Sequence, residues 1–333
     1  MAISQSDLAA QLGVSGMTVS RAMRGENGIN DKTRHKVLDA ARHAGLPLPP
    51  SPRRQSTQEL LHVLCTLAPD PEAIGETPFH GRLLAGLRRG ASECASEIVN
   101  APDVGNAWPL IVARRQVDGA VMVWGDEHDP KPLDCPVPAV YLFYGPPQAD
   151  VVTVDNFGGG FMLGSRLAAL GHRQVAFAGP DSRMAVERLA GLRTGLQTDG
   201  GGVPPQLALL ERGGASGAAP LADDLLAAAR QTGARGLGFT AVMAYNDYTA
   251  AQLIQRFHEL GISVPGDVSV VGFDGVSPAQ YDGPALTTCA MPLEELGAEA
   301  SRMIYWRLEH PNALRRTLAL ETEIIQGESA TKT

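Results

Sequence analysis

Along the first 45 residues apolar positions recur every three or four places, while beyond residue 60 they gather in short solid runs. The first spacing is that of amphipathic helices. Leu8 and Leu12 share one face of a first helix, which Gly13 stops. Ser4 and Asp7 stand as a capping box at its start, with Ile3 and Leu8 at the staple positions. Ser15 is placed to cap a second helix, whose buried side is Val19, Ala22 and Met23 and whose stop is Gly25. A third runs from about Asn30 to Ala44, with Val37, Leu38, Ala41 and Ala44 on one side and Gly45 as its end. Pro47, Pro49, Pro50 and Pro52 then exclude a helix interior and mark an extended linker.

From residue 60 the pattern predicts strands at Leu60–Leu67, Gly119–Trp124, Ala139–Phe143, Val151–Val154, Gln174–Ala178, Gly238–Ala244, Val268–Phe273 and Thr317–Ile325. Helices are predicted over 79–95, 158–170, 185–199 and 247–260. The stretch 200–219, rich in glycine and alanine, reads as loop around one short strand. Alternation of this kind means parallel sheets covered by helices. About ten strands are too many for one small sheet, so two doubly wound lobes are expected. The organisation is a helical head over 1–46, a proline-rich linker over 47–58 and an α/β body over 59–330. The first lobe is expected over about 59–156 and 288–316, the second over about 157–287 and 317–328.

Charge sharpens this division. The whole chain of 333 residues has a net charge of −8, which argues against nucleic acid as a partner of the chain as a whole. Residues 1–58, however, hold eight Lys/Arg against four Asp/Glu, a net of +4. The rest holds 20 Lys/Arg against 32 Asp/Glu, a net of −12. A basic head on an acidic body suggests two tasks. No run approaches a membrane span, and the N-terminal residues lack the pattern of a secretion signal, so a cytoplasmic protein is expected. Cys65, Cys94, Cys135 and Cys289 are scattered and read as free thiols, with a disulfide or structural zinc as the alternative.

Two short helices joined by a tight turn and followed by a third match a helix-turn-helix DNA reader, whose second helix lies in the major groove. There the exposed side would be Gly16, Met17, Ser20 and Arg21. Arg21 can donate a bidentate pair to guanine, Met17 can touch a thymine methyl, and Gly16 admits close backbone approach. Ser15, Thr18, Arg24, Lys32, Thr33 and Arg34 are candidate phosphate contacts. The alternative is a helical dimerisation cap with a solvated basic face.

The stretch Asp7-Leu8-Ala9-Ala10-Gln11-Leu12-Gly13-Val14-Ser15, with Thr18-Val19-Ser20-Arg21 and Lys32-Thr33-Arg34-His35-Lys36-Val37, closely resembles the DNA-binding head of the lactose-repressor family. The resemblance continues through Arg115-Gln116-Val117-Asp118-Gly119, Val154-Asp155-Asn156, Glu187-Arg188-Leu189-Ala190-Gly191, Tyr245-Asn246-Asp247 and Val264-Pro265-Gly266-Asp267, nearly the whole chain. It implies a body like a periplasmic sugar-binding protein, with two lobes, three crossovers and a cleft for a small-molecule effector, most simply a sugar or sugar acid. It also implies a homodimer, or a higher oligomer, on pseudo-palindromic operator DNA, and a repressor rather than an enzyme.

Ligands in open parallel sheets bind beyond the carboxyl ends of strands. Asp155, Asn246, Asp247 and Asp274 stand at such ends and suit vicinal hydroxyls, although Asp247 can equally cap the helix it opens. Arg188 matches the family's effector arginine. Phe79, Trp124 and Phe161 are candidate apolar walls, with the core as the alternative for Trp124 and Phe161. Gly158-Gly159-Gly160 opens a helix after a strand, but Leu163 occupies the last position of a G-x-G-x-x-G pattern, so no cofactor is expected. Asp223-Asp224 and His172 form no catalytic constellation, and no G-x-S-x-G or H-E-x-x-H occurs. A solute-binding protein or a two-lobed sugar-processing enzyme are the alternative readings, and either would leave the basic head unexplained.

The chain departs from the family twice. Many members carry an N-x-x-A-x-x-L hinge whose leucines wedge into the minor groove. Here Pro49-Pro50-Ser51-Pro52-Arg53-Arg54-Gln55-Ser56 has no such leucine, so weaker kinking is expected, with Arg53 and Arg54 giving electrostatic contact instead. Some sugar-binding members place a tryptophan before the Asn-Asp strand, whereas Ala208–Pro220 holds no aromatic residue.

Overall fold

The computed structural model describes residues 4–23, 29–30, 33, 36–38, 40–41, 61–66, 78–94, 96–101, 108, 110–123, 135–146, 148–197, 199–211, 218–231, 237–276 and 282–333. Trp124, Arg24, Lys32, Arg34, Arg53 and Arg54 lie outside the described residues. The chain divides into two compact units, Met1–Glu59 and Leu60–Thr333.

In the first unit, α1 (Gln5–Leu12) begins with the expected capping box. The Asp7 N–H donates to Ser4 Oγ at 3.2 Å and the Ser4 N–H to Asp7 Oδ2 at 2.9 Å. Gly13 ends it in the left-handed region, at φ 65°. Before α2 (Gly16–Met23), the Thr18 N–H donates to Ser15 Oγ at 3.1 Å. A third helix, α3, is described at residues 33, 36–38, 40 and 41. Leu8, Val19, Ala22, Met23, Val37 and Ala41 close the core between the three.

In the second unit two six-stranded sheets form two lobes. The first is ordered β11-β5-β4-β3-β1-β2, all parallel: β1 (Leu61–Thr66), β2 (Ser96–Asn100), β3 (Gly119–Val123), β4 (Ala139–Leu142), β5 (Asp150–Val154) and β11 (Thr317–Leu320). The second is ordered β12-β10-β9-β8-β6-β7: β6 (Val175–Pro180), β7 (Ala208–Glu211), β8 (Ala241–Ala244), β9 (Ser269–Asp274), β10 (Thr287–Ala290) and β12 (Glu323–Ile325). Only β12 is antiparallel to its neighbour in that sheet.

Helices α4 (Pro78–Glu93) and α10 (Leu293–Glu309) pack together over one face of the first sheet, and α5 (Leu110–Ala113) lies on the other. On the second lobe, α6 (Asn156–Ala169) and α7 (Arg183–Gln197) cover one face, α8 (Ala218–Gln231) and α9 (Asp247–Glu259) the other. The core beneath α4 and α10 continues through Phe143, Val154, Phe273 and Met291 into the core beneath α6 and α7. The chain crosses between the sheets after β5, after β10 and after β11.

Several expectations need correction. The apolar run Thr317–Ile325 is two strands, not one: β11 joins the first sheet and β12 the second. Glu321 and Thr322 carry the chain between lobes, so residues 317–320 belong with the first lobe. Likewise β10 keeps residues 288–290 in the second lobe. Hydropathy cannot see these transfers, because both sheets demand the same apolar alternation. The edge strand β2, whose two apolar residues Ile98 and Val99 are only partly buried, carries too weak a run to be predicted.

Candidate functional site

On the head, α2 turns Val19, Ala22 and Met23 inward and leaves Gly16, Met17 and Arg21 exposed, Met17 at 64%. Ser15, Met17, Thr18 and Arg21 line a hollow of about 310 Å³ with Ile29, Asn30 and Thr33. Five of the sequence-derived DNA candidates, Ser15, Met17, Thr18, Arg21 and Thr33, thus line one hollow, while Ser20 is half-buried on α2. Ser15 and Thr18 also hydrogen-bond each other, at 2.8 Å between hydroxyls. An exposed helix face bearing one arginine and one thioether fits a groove lined with base edges.

In the body, the polar candidates separate into two kinds. Asp155 and Asn246 are helix caps: the Gly158 N–H donates to Asp155 Oδ1 at 2.7 Å, and the Thr249 N–H to Asn246 Oδ1 at 2.8 Å. The cap of α9 is therefore Asn246, and Asp247 has another task. Its carboxylate is fully buried, accepting from Thr288 Oγ1 at 2.5 Å and from the Val276 N–H at 2.7 Å.

Arg188 projects from α7 into the junction of the lobes and is 1% exposed. Its Nε donates to Asn156 Oδ1 at 2.9 Å and Nη1 to the Tyr245 carbonyl at 2.6 Å. Nη2 points at Met291 Sδ, 3.8 Å away. The guanidinium lies 3.8 Å from the centre of the Phe273 ring and 4.6 Å from that of Tyr245. Asp274 Oδ1 stands 3.6 Å from Nη1, an ion contact rather than a hydrogen bond. Burial pushes the Asp274 carboxyl up to about 8; Arg188 pulls it back, and Asp247 adds to the rise. Burial likewise raises Asp247, to about 6, against the bonds from Thr288 and the backbone.

Asn156 opens α6 directly after the first crossover, and Met291 follows β10 at the second. Arg188 thus joins two of the three crossovers. The sequence reading missed Asn156, Glu187, Tyr144, Tyr245 and Met291. Three of these are immediate neighbours of residues it singled out, and adjacency to Asp155, Arg188 and Asn246 was the available signal. Tyr144 follows β4 in the first lobe; its hydroxyl donates across the cleft to Glu187 Oε2 at 3.4 Å, and Arg183 sits over its ring at 5.0 Å. Arg82 of α4 makes a second crossing, donating to the Gly275 carbonyl at 3.3 Å. Phe143 and Asp274, at the carboxyl ends of central strands on opposite lobes, have φ of 69° and 118°. Strain of this kind in non-glycine residues gathers at functional sites.

Phe79 stacks on Phe143 with ring centres 6.0 Å apart, on the first lobe's side. Phe161 is 37% exposed on α6. The glycine cluster has a packing cause: a side chain at Gly159 would meet the Phe273 ring, and one at Gly160 the Arg188 carbonyl. It lets α6 lie close on β9 and α7. His172 is buried, with Nε2 facing the Thr331 carbonyl and Nδ1 facing Thr240 Oγ1, both at 2.9 Å, and burial lowers its pKa. A larger hollow of about 750 Å³ lies along α9, on the opposite face of the second sheet from Arg188. Among the described residues no group of three His, Cys, Asp or Glu is gathered for a metal, and no helix is long and apolar enough to cross a membrane.

Residues 6–45 match the lacI family of bacterial regulatory proteins, and residues 165–330 match the periplasmic binding protein-like domain. The transcriptional regulator CelR of Thermobifida fusca is 29% identical over 335 residues, covering 97% of this chain and 96% of its own. DegA of Bacillus subtilis (strain 168), also a transcriptional regulator, is 28% identical over 311 residues, 89% of this chain and 88% of its own. The solved complex of CelR with cellobiose is similar with a TM-score of 0.69 at 27% identity, covering 98% of this chain and 99% of that one. A helix-turn-helix head and a two-lobed sensing body define a DNA-binding transcription regulator. The chain belongs to the lacI family of bacterial regulatory proteins.

Proposed function

We propose that this regulator is a repressor whose hold on a pseudo-palindromic operator is controlled by a neutral or acidic sugar bound between the lobes. The observation that carries the effector reading is the buried Arg188–Asp274–Asp247 knot at the carboxyl ends of the second sheet's strands, tied to two crossovers. A ligand that prefers one lobe arrangement shifts the equilibrium by no more than its differential affinity. The cellobiose seen in the CelR complex supports the choice of a sugar.

In this reading Asp274, Asn246 and Asp155 offer oxygens to hydroxyls, while Arg188 and the buried Asp247 hold the knot in place. Phe79, Phe161 and Trp124 supply walls. On the head, Gly16, Met17, Ser20 and Arg21 read bases. Ser15, Thr18, Arg24, Lys32, Thr33 and Arg34 hold phosphates, and Arg53 and Arg54 reach the minor groove. The protein works as a homodimer in the cytoplasm, without catalysis and without a cofactor. Gel shift with DNA from upstream of its own operon, with and without cellobiose, ribose and the corresponding acids, tests this. A specific complex released by a sugar that also raises the melting temperature is expected. Absence of a specific complex overturns the regulator's proposed mode of action.

A further inference from the structure

The five strands β1, β3, β4, β5 and β11 run parallel, so their amino ends lie along one pole of the first lobe. The chain enters the body at that pole, through β1. The loops that lead into β3 and β11 carry Arg114, Arg115, Arg315 and Arg316, all exposed. Their described acidic neighbours on the same loops are Asp118 and Glu309. Both loops are thus net basic on a body whose net charge is −12.

The loop before β11 is also built to a fixed shape. Asp150, 4% exposed, receives Arg307 Nε at 2.5 Å and Nη2 at 2.7 Å. The same guanidinium donates to the carbonyls of His310, Ala313 and Leu314. Asp150 Oδ1 also accepts the Arg316 N–H at 2.8 Å. The Trp306 ring carries the Arg316 guanidinium at 3.3 Å and stacks with His310 at 4.9 Å. The ion pair thus ties residues 310–316 together through four backbone bonds, to His310, Ala313, Leu314 and Arg316. What that shape presents to solvent is Leu314, Arg315 and Arg316.

Residues 46–60 connect this pole to the head, and an extended chain of that length spans at most about 50 Å. That reach is measured from the start of β1, one strand place from β3 and four from β11. Strands β3 and β11 stand three places apart in the sheet, roughly 14 Å, close to the ~12 Å width of the major groove.

We propose that this arginine rim is a second, sequence-independent DNA contact, which holds phosphates of the duplex flanking the site read by the head. The acidic remainder of the body turns the molecule so that this pole faces the DNA.

The test uses the full chain and non-specific duplexes of about 60 and about 18 base pairs, with binding followed by anisotropy between 50 and 200 mM salt. Each phosphate neutralised contributes about 0.9 to the slope of log K against log salt. For Arg315→Gln/Arg316→Gln and for Arg114→Gln/Arg115→Gln, the slope on the long duplex should fall by about 1–2. Affinity there at 50 mM salt should fall several-fold, while the short duplex is bound as before. Arg315→Lys/Arg316→Lys should restore most of the loss, since a phosphate contact needs charge. Unchanged curves on the long duplex overturn the proposal. So do equal losses on both lengths, or a loss that lysine does not rescue, because these mark damage to the fold rather than to a contact.

Discussion

A guanidinium buried to 1% exposure must have its donors matched, and Arg188 matches them with Asn156, Tyr245, Met291 and Asp274. Asp274, one contact away, is buried as well, and that burial pushes its carboxyl up to about 8 although Arg188 pulls it back. The sign follows from proton counting. Between the ordinary value of 3.8 and about 8 the folded state binds a proton that the unfolded state has lost, so stability falls as pH rises through that window. Asp274→Asn should remove this slope: urea midpoints between pH 5 and 8 should drop for the native protein and stay flatter in the variant. On the head, Arg21 is exposed on α2, opposite the buried Val19, Ala22 and Met23. Arg21→Ala should cost about 1–3 kcal/mol in operator affinity and relax preference at one base pair, measured on a panel of single-base operator variants. A uniform loss across the panel would make Arg21 a phosphate contact.

At the scale of elements, local signals decide where helices begin and glycines decide how closely they pack. The Ser4–Asp7 box and the Gly13 stop are local, and both were legible. The closeness of α4 to α10 is not. A side chain at Gly86 would collide with the Glu294 backbone, whereas Gly81, on the same helix, has open space around it. Gly86→Ala should destabilise the body by about 1–3 kcal/mol through overpacking. Gly81→Ala should be neutral or stabilise by up to about 1 kcal/mol, since alanine is the better helix former. Comparing the two urea midpoints checks the packing directly. The run Thr317–Ile325 shows the opposite failure: its pattern is plainly β, yet the two sheets that divide it are chosen by long-range pairing.

For the molecule as a whole, the charge division at the linker separates a reading task from a sensing task, and three crossovers join the lobes of the sensor. The head offers one short helix to DNA, so strong operator binding needs two heads on one scaffold. Sedimentation should therefore find a dimer at micromolar concentration. A monomer with full operator affinity would falsify the two-headed arrangement. Within the body, the Tyr144–Glu187 and Arg82–Gly275 contacts cross between lobes, so the proposed effector-driven shift of the lobes would have to break and remake them. Tyr144→Phe removes one of them without disturbing a core. It should shift the effector concentration at half-release by several-fold and leave the melting temperature nearly unchanged.

By itself the sequence determined what depends on neighbours a few residues apart. These are the three head helices with their caps, the parallel α/β grammar of the body, and the basic-to-acidic switch at the proline run. Residue by residue it also pointed to Arg188, Asp247 and Asp274, through their motifs. Only the tertiary structure decided how these act. It made Asn246 the cap and freed Asp247 to bind Thr288 and Val276, and it wrapped Arg188 in groups drawn from two crossovers. It also brought Tyr144 to Glu187, 43 positions away. The physical reason is range: caps and periodicity are set by the backbone within a turn or two, whereas burial, and the pKa and pairing that follow from it, depend on contacts between segments far apart in the chain.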